Sequence, residues 1–229
     1  MFDRWVGCSS LGVRRSLVLA ALVAAVRVGG ASAAPVVGFV EEWPDTSRQG
    51  WGSFSGLMNY SNPGTGGSQG AGDGFLIMSN THLVAGGSFG AFSGGSEYAG
   101  DWVAAGINSV RVWLNDVGAA DPLEIHFVIG KAQINVWQYN EGFQPPHDAW
   151  AEFVVDLTSP AKFTQIFGPG TFQAALQDVD RVHFRHDLAP YLQNPDIIKA
   201  DVGIDHLVLS GENVPVISTT WGRLKALYR

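Results

Sequence analysis

The sequence predicts an all-β protein, an antiparallel β-sandwich of about nine short strands. Two observations carry the prediction. Residues 107–157 alternate apolar and polar side chains with period two over four successive segments, and Gly, Pro, Asn and Ser clusters punctuate the chain between short apolar runs. A third agrees with them: helical periodicity is confined to one short stretch near 171–177 and to the last ten residues.

The first 33 residues read as a secretory signal peptide. Arg4, Arg14 and Arg15 precede an apolar run at 17–26, and Ala31-Ser32-Ala33 supplies the small-residue cleavage pattern. The run falls short of the roughly 20 apolar residues that span a bilayer, so no transmembrane segment is expected after signal removal. Cleavage after Ala33 would remove Cys8, the only cysteine, and leave 10 basic against 20 acidic residues. Such a balance argues against nucleic acid and anionic lipid as partners, since both are held by clustered Lys and Arg. The remainder divides into a sandwich domain at 34–211 and a linker with a basic tail at 212–229.

Within the domain, 36–41 reads as a first strand broken by Pro44. Residues 50–74 are rich in Gly, Ser and Asn and suit a long surface loop. A short buried strand follows at 75–79, and another is indicated near 88–92. The four alternating segments are 110–115, 123–129, 134–139 and 150–157. One face carries Val110, Val112, Leu114, Leu123, Ile125, Phe127, Ile129, Ile134 and Val136, the expected core. Ser159-Pro160 ends the fourth segment, Thr171 caps a short helix to Gln177, 181–187 alternates again, and 202–209 is the last strand.

Several of these segments resemble a known group. Glu41, Gly50-Trp51, the loop from Asn62-Pro63-Gly64 to Gly72-Asp73-Gly74, residues 150–157 and the closing 203–209 occur in the order found in galactose-binding-like jelly-roll sandwiches. Bacterial carbohydrate-binding modules and laminin IV-type domains have this fold. The resemblance covers 36–210 and implies a jelly roll. It also implies one structural calcium ion tying the first strand to the last, through Glu41 and Asp205 with help from Asp73 and its neighbours. His206 stands where such modules often carry a second Asp.

The second face of the alternating segments points to a ligand. Sugars present flat C–H faces edged with hydroxyls and need aromatic plates with fixed hydrogen-bonding groups around them. Trp113, Trp137 and Tyr139 are the expected plates. Arg111, Glu124, His126 and Asn135 are the expected rim, joined by His183 and Arg185 of the later strand. The same face read plainly is an outer sheet surface, where aromatics are favoured in any case.

Catalytic patterns are weak. Gly66-Gly67-Ser68-Gln69-Gly70 fits Gly-x-Ser-x-Gly but lies in a glycine-rich loop before a strand, not at a strand-to-helix elbow. Glu152 and Asp156 are about 13 Å apart at the strand rise, beyond the roughly 5–9.5 Å of glycosidase carboxylate pairs. The expectation is therefore a secreted, non-catalytic module that binds carbohydrate. The alternative is a structural or adhesive envelope protein that binds a partner through this face or through its tail. In that tail, residues 220–229 read as a short basic amphipathic helix capped by Thr220, too short to be stable alone, so that a docking partner is expected for residues 219–229.

Overall fold

The computed structural model describes residues 34–53, 56–80, 88–119 and 122–212. The expected signal segment and the basic tail lie outside them. Among the described residues, eleven strands form two antiparallel sheets. In chain order they are β1 (Val40–Glu41), β2 (Asn59–Ser61), β3 (Leu76–Asn80), β4 (Gly90–Ser93), β5 (Ser109–Asp116), β6 (Ile125–Lys131), β7 (Asn135–Tyr139), β8 (Ala151–Asp156), β9 (Phe163–Phe167), β10 (Arg181–His186) and β11 (Ala200–Ser210). Two short helices join them, α1 (Trp102–Ala105) and α2 (Phe172–Gln177). Among the described residues no helix is long and apolar enough to cross a membrane.

One sheet runs β2-β3-β11-β5-β8 with β1 added to β11, and the other runs β4-β10-β6-β7-β9. The four alternating segments thus split, β5 and β8 going to the six-stranded sheet and β6 and β7 to the five-stranded one. Their inner faces meet in a single core. Val110, Val112, Leu114, Ile204 and Leu209 face Ile125, Phe127, Ile129, Val182 and Phe184, all fully buried. Each such side chain contributes about 1.5–3 kcal/mol on burial. One end is filled by aromatics: Trp51 stacks on Phe184 at 6.0 Å and meets Tyr98 edge-on at 5.7 Å.

The expected elements hold in most places. Helix α2 starts where expected, with Thr171 Oγ1 accepting the Ala174 amide at 3.1 Å. The first strand is shorter than its sequence, because only Val40 and Glu41 pair with Val208 and Leu207. Strands β2 and β9 were not expected. Asn62 ties the glycine-rich loop to the segment after β1. Its amide nitrogen donates to the Trp43, Asp45 and Ser47 carbonyls, and its Oδ1 accepts Gly64 N at 2.8 Å and Phe75 N at 3.2 Å. Gly74 allows that approach, since an added Cβ there would collide with the Trp43 carbonyl.

Candidate functional site

Strand register decides which side chains share the outer face of the five-stranded sheet. In β10, Val182 and Phe184 go into the core, which sends Arg181, His183 and Arg185 outward. Pairing sets His183 beside Phe92 of β4 and Val128 of β6, and sets Arg185 beside Gly90 and His126. Gly90 leaves the room this needs, because a Cβ there would run into His183 and Arg185. The result is a groove of about 200 Å³ whose walls include Phe92, Val136, Phe167, Arg181, His183 and Asn194.

The groove is aromatic with polar edges. Phe92 and His183 meet edge to face at 6.2 Å, and the Arg181 guanidinium lies 5.0 Å over the Phe92 ring. Burial, reinforced by the Arg185 and Arg181 charges, pushes the His183 imidazole down to about 3. It is neutral at physiological pH and presents one donor and one acceptor. Arg185 is fully buried. Its guanidinium binds the Asp187 carboxylate and the carbonyls of Leu192 and Gln193, the latter at 2.8 Å.

Of the residues expected on one ligand face, the structure gathers His126, His183 and Arg185 here. Glu124 stands beside His126, its Oε1 2.9 Å from His126 Nε2, and is not among the residues lining the groove. Arg111 and Trp113 stand on the outer face of the other sheet. There Arg111 donates to both Glu152 oxygens at 2.8 and 3.0 Å, beside an open depression of about 550 Å³ that also borders Val37, His206 and Glu212.

Asn135, Trp137 and Tyr139 are turned away from the groove. The β6–β7 pairing sets the core residue Ile129 opposite Trp137 and sets Gly130 opposite Val136. Paired residues share a face, so the aromatics go inward and Val136 and Gln138 outward. Tyr139 is buried against Phe163 at 5.0 Å, and Trp137 packs on Phe172 at 5.7 Å. Asn135 serves that packing, its Oδ1 accepting Trp137 Nε1 at 2.8 Å and Gln165 Nε2 at 2.9 Å. Ile134, expected in the core, is 52% exposed.

The acidic cluster forms with one substitution in its expected membership. Glu42, Asp73 and Asp205 place carboxylate oxygens within 4.8 Å of one another. Glu41, expected as a ligand, points instead into the core end, where Tyr98 donates to its Oε2 at 3.3 Å. Burial first, and the Glu97 charge after the opposing Tyr98 bond, push the Glu41 carboxyl up to about 7. Asp205 is fully buried and its Oδ1 has no hydrogen-bond partner among the described residues, while its Oδ2 accepts Ser68 N at 2.6 Å. Burial, with the nearby Asp73 charge, pushes it up to about 6. Gly67 permits the closeness of the two aspartates, since a Cβ there would lie 2.5 Å from Asp73 Oδ2 and 2.8 Å from Asp205 Oδ2. His206 Nδ1 braces Glu42 at 2.9 Å. An all-oxygen donor set with one orphaned buried oxygen fits a hard divalent cation.

No protein-family profile matches the chain, and no curated protein matches it in sequence. Solved structures do resemble it. The family 11 carbohydrate-binding module from Clostridium thermocellum, in complex with a β-1,3-1,4-mixed-linked tetrasaccharide, superposes with a TM-score of 0.51 at 19% identity. That match covers 79% of this chain and 99% of that one. A solution structure of CtCBM11 gives 0.52 at 18% identity, over 78% and 98%. An exo-β-agarase gives 0.52 at 11% identity, over 76% of this chain and 24% of that one. At such identities the likeness is one of fold: the chain is a jelly-roll β-sandwich of the carbohydrate-binding-module type, as its sequence motifs implied.

Proposed function

We propose that this protein is an exported, non-catalytic module that binds carbohydrate in the groove on the outer face of the five-stranded sheet. The observation that carries the reading is the pairing of Phe92, an aromatic plate, with the neutral imidazole of His183 and the guanidinium of Arg181, all presented by adjacent strands. Stacking on a sugar's C–H face and hydrogen bonds to its hydroxyls need these two kinds of group side by side. The described residues that line the groove include no Asp or Glu, which supports binding rather than hydrolysis, since glycoside cleavage uses a carboxylate pair. The tetrasaccharide complex of a family 11 module supports the same reading by analogy of fold.

The acidic cluster is read as a calcium clasp joining β11, the segment after β1 and the glycine-rich loop. It is structural in this reading, because it stands on the other sheet from the groove. A second reading, contact with an envelope protein, is favoured by the Trp113 depression, beside which Val36 and Val37 are exposed.

The test is affinity electrophoresis of residues 34–229 on mixed-linkage β-glucan, xylan and agarose, with calcium and then with chelator. Phe92→Ala and His183→Ala should abolish retardation, and Trp113→Ala should leave it unchanged. The opposite pattern would move the site to the six-stranded sheet, and no retardation on any polymer would reject the carbohydrate reading.

A further inference from the structure

The open groove is smaller than the roughly 300–1,000 Å³ usual for ligand sites, and its far end is closed by the chain itself. Residues 188–197 cross the outer face of the five-stranded sheet. Tyr191 packs its ring against the His126 imidazole at a tilt of 58°, centroids 4.9 Å apart, and its hydroxyl donates to the Asn140 carbonyl at 3.1 Å. It thus bridges β6 to the residue that follows β7. The carbonyls of Leu192 and Gln193 take up the Arg185 guanidinium, and Gln193 and Asn194 form part of the groove wall. Loop and groove are therefore continuous.

Polar groups on this face are left without partners. Gln138, two residues from Asn140 and on the outward side of β7, is fully buried, and neither its Nε2 nor its Oε1 has a hydrogen-bond partner among the described residues. Arg185 Nε is also buried and unpartnered. Buried amide groups are nearly always satisfied, and an orphan marks either a cost carried for function or a missing partner. The loop is a poor substitute for that partner. Its large apolar residues turn outward, Leu188 49%, Leu192 64% and Ile197 43% exposed. Hydrogen bonds hold it: Asp196 N donates to the His186 carbonyl at 3.1 Å and the Asp196 carbonyl accepts Phe89 N at 2.9 Å. Residues 188–195 are tied to the sheet through Tyr191 and the Arg185 guanidinium, and exposed stretches between such ties are where chains open locally.

We propose that Tyr191 stands in for a sugar ring, occupying a second subsite built from His126, Gln138 and Arg185, and that residues 188–195 lift when a polysaccharide chain enters, Asp196 staying paired with Phe89 and His186. The proposal rests on the carbohydrate reading of the groove and extends it by one ring. In the open state the Gln138 amide bonds sugar hydroxyls, and the His126 ring takes the apolar face of the sugar in place of Tyr191.

The test combines stability and affinity in the variants Gln138→Met, Tyr191→Ala and their double, on mixed-linkage β-glucan, xylan and agarose. Gln138→Met should raise the Tm by about 2–4 °C, because an unsatisfied amide is replaced by an apolar chain of like length. The same change should weaken polysaccharide binding about 3- to 10-fold. Tyr191→Ala should tighten binding by about threefold or more by removing the competitor, and the double variant should lose that gain. Unchanged affinity in Gln138→Met, a lowered Tm in it, or weakened binding in Tyr191→Ala would each overturn the proposal. If Phe92→Ala still abolishes binding in those cases, the groove reading survives alone. If neither the wild type nor Tyr191→Ala binds any polymer, both fall.

Discussion

Glu41 and Glu42 are neighbours in the chain and serve opposite sides of it. Glu41 faces inward, under the Tyr98 hydroxyl. Glu42 faces outward, bonded to His206 and within reach of Asp73 and Asp205. One carboxyl is held where a proton suits it, and the other where a cation would.

Glu41 should make stability depend on pH. Its carboxyl sits at about 7, against 4.5 for an ordinary glutamate. The folded state therefore holds the proton more tightly than the unfolded one. The resulting stabilisation is complete below about pH 4.5 and is lost as pH rises through 7. After allowance for solvent screening it amounts to about 1–3 kcal/mol. Urea denaturation from pH 4 to 8 should show this decline, and Glu41→Gln should flatten it. A decline of the same size in the variant would assign it to another group.

Asp205 should behave alike in the absence of cation, losing stability as pH rises from 3.8 to about 6. Calcium should restore it. We expect chelator to lower the Tm at pH 7.5. Asp205→Asn should abolish the calcium response while raising the Tm of the cation-free protein. A calcium response that persists in this variant would place the ion elsewhere.

Tyr139 and Phe92 should separate packing from binding. Tyr139→Ala empties a buried site between Phe153 and Phe163 and should cost about 3–5 kcal/mol in chemical denaturation. Phe92→Ala should cost far less and be read out as lost polysaccharide retention. Equal destabilisation by both would mean that the groove wall is core.

Asn62 makes more of the glycine-rich loop than its length suggests. Asn62→Ala strips three carbonyls and two amides of their shared partner and should cost about 2–3 kcal/mol. Because that loop carries Asp73, the calcium-induced Tm shift should shrink with it. An undiminished shift would mean that the loop holds Asp73 without Asn62.

The fold was legible because alternation is strong where both sheets are buried on one side. Val110, Val112 and Leu114, or Val182 and Phe184, leave no doubt about which way a strand faces. Alternation does not say which sheet a strand joins. By alternation alone Arg111 and His126 share one surface, although β5 and β6 belong to different sheets. In β7 both faces carry apolar residues, and the phase is set by pairing with β6 and by a register shift between Val136 and Trp137 against β9, neither of which the sequence displays. One signal was present: Gln138 shares parity with Val136, and a glutamine in a supposed core stripe argues for the opposite phase. The two-residue strand β1 is too short to have a phase of its own, which is why Glu41 and Glu42 exchanged roles. Phe92 sits in a strand the sequence indicated, but the glycines around it hide which face it takes.

The edge pairing of β1 with β11 has a mechanical consequence. Gly38 N bonds Leu209 O at 2.8 Å, and Leu209 N bonds Phe39 O at 3.0 Å, so the strand that enters the sandwich and the strand that leaves it part company at one corner. A pull on both ends would peel β1 from β11 one hydrogen bond at a time, the weakest way to load a sheet. The tear would meet Glu42 and Asp205 within a few residues. With calcium bound there, a chain drawn taut would yield at its fringe and then catch, like a seam finished with a rivet.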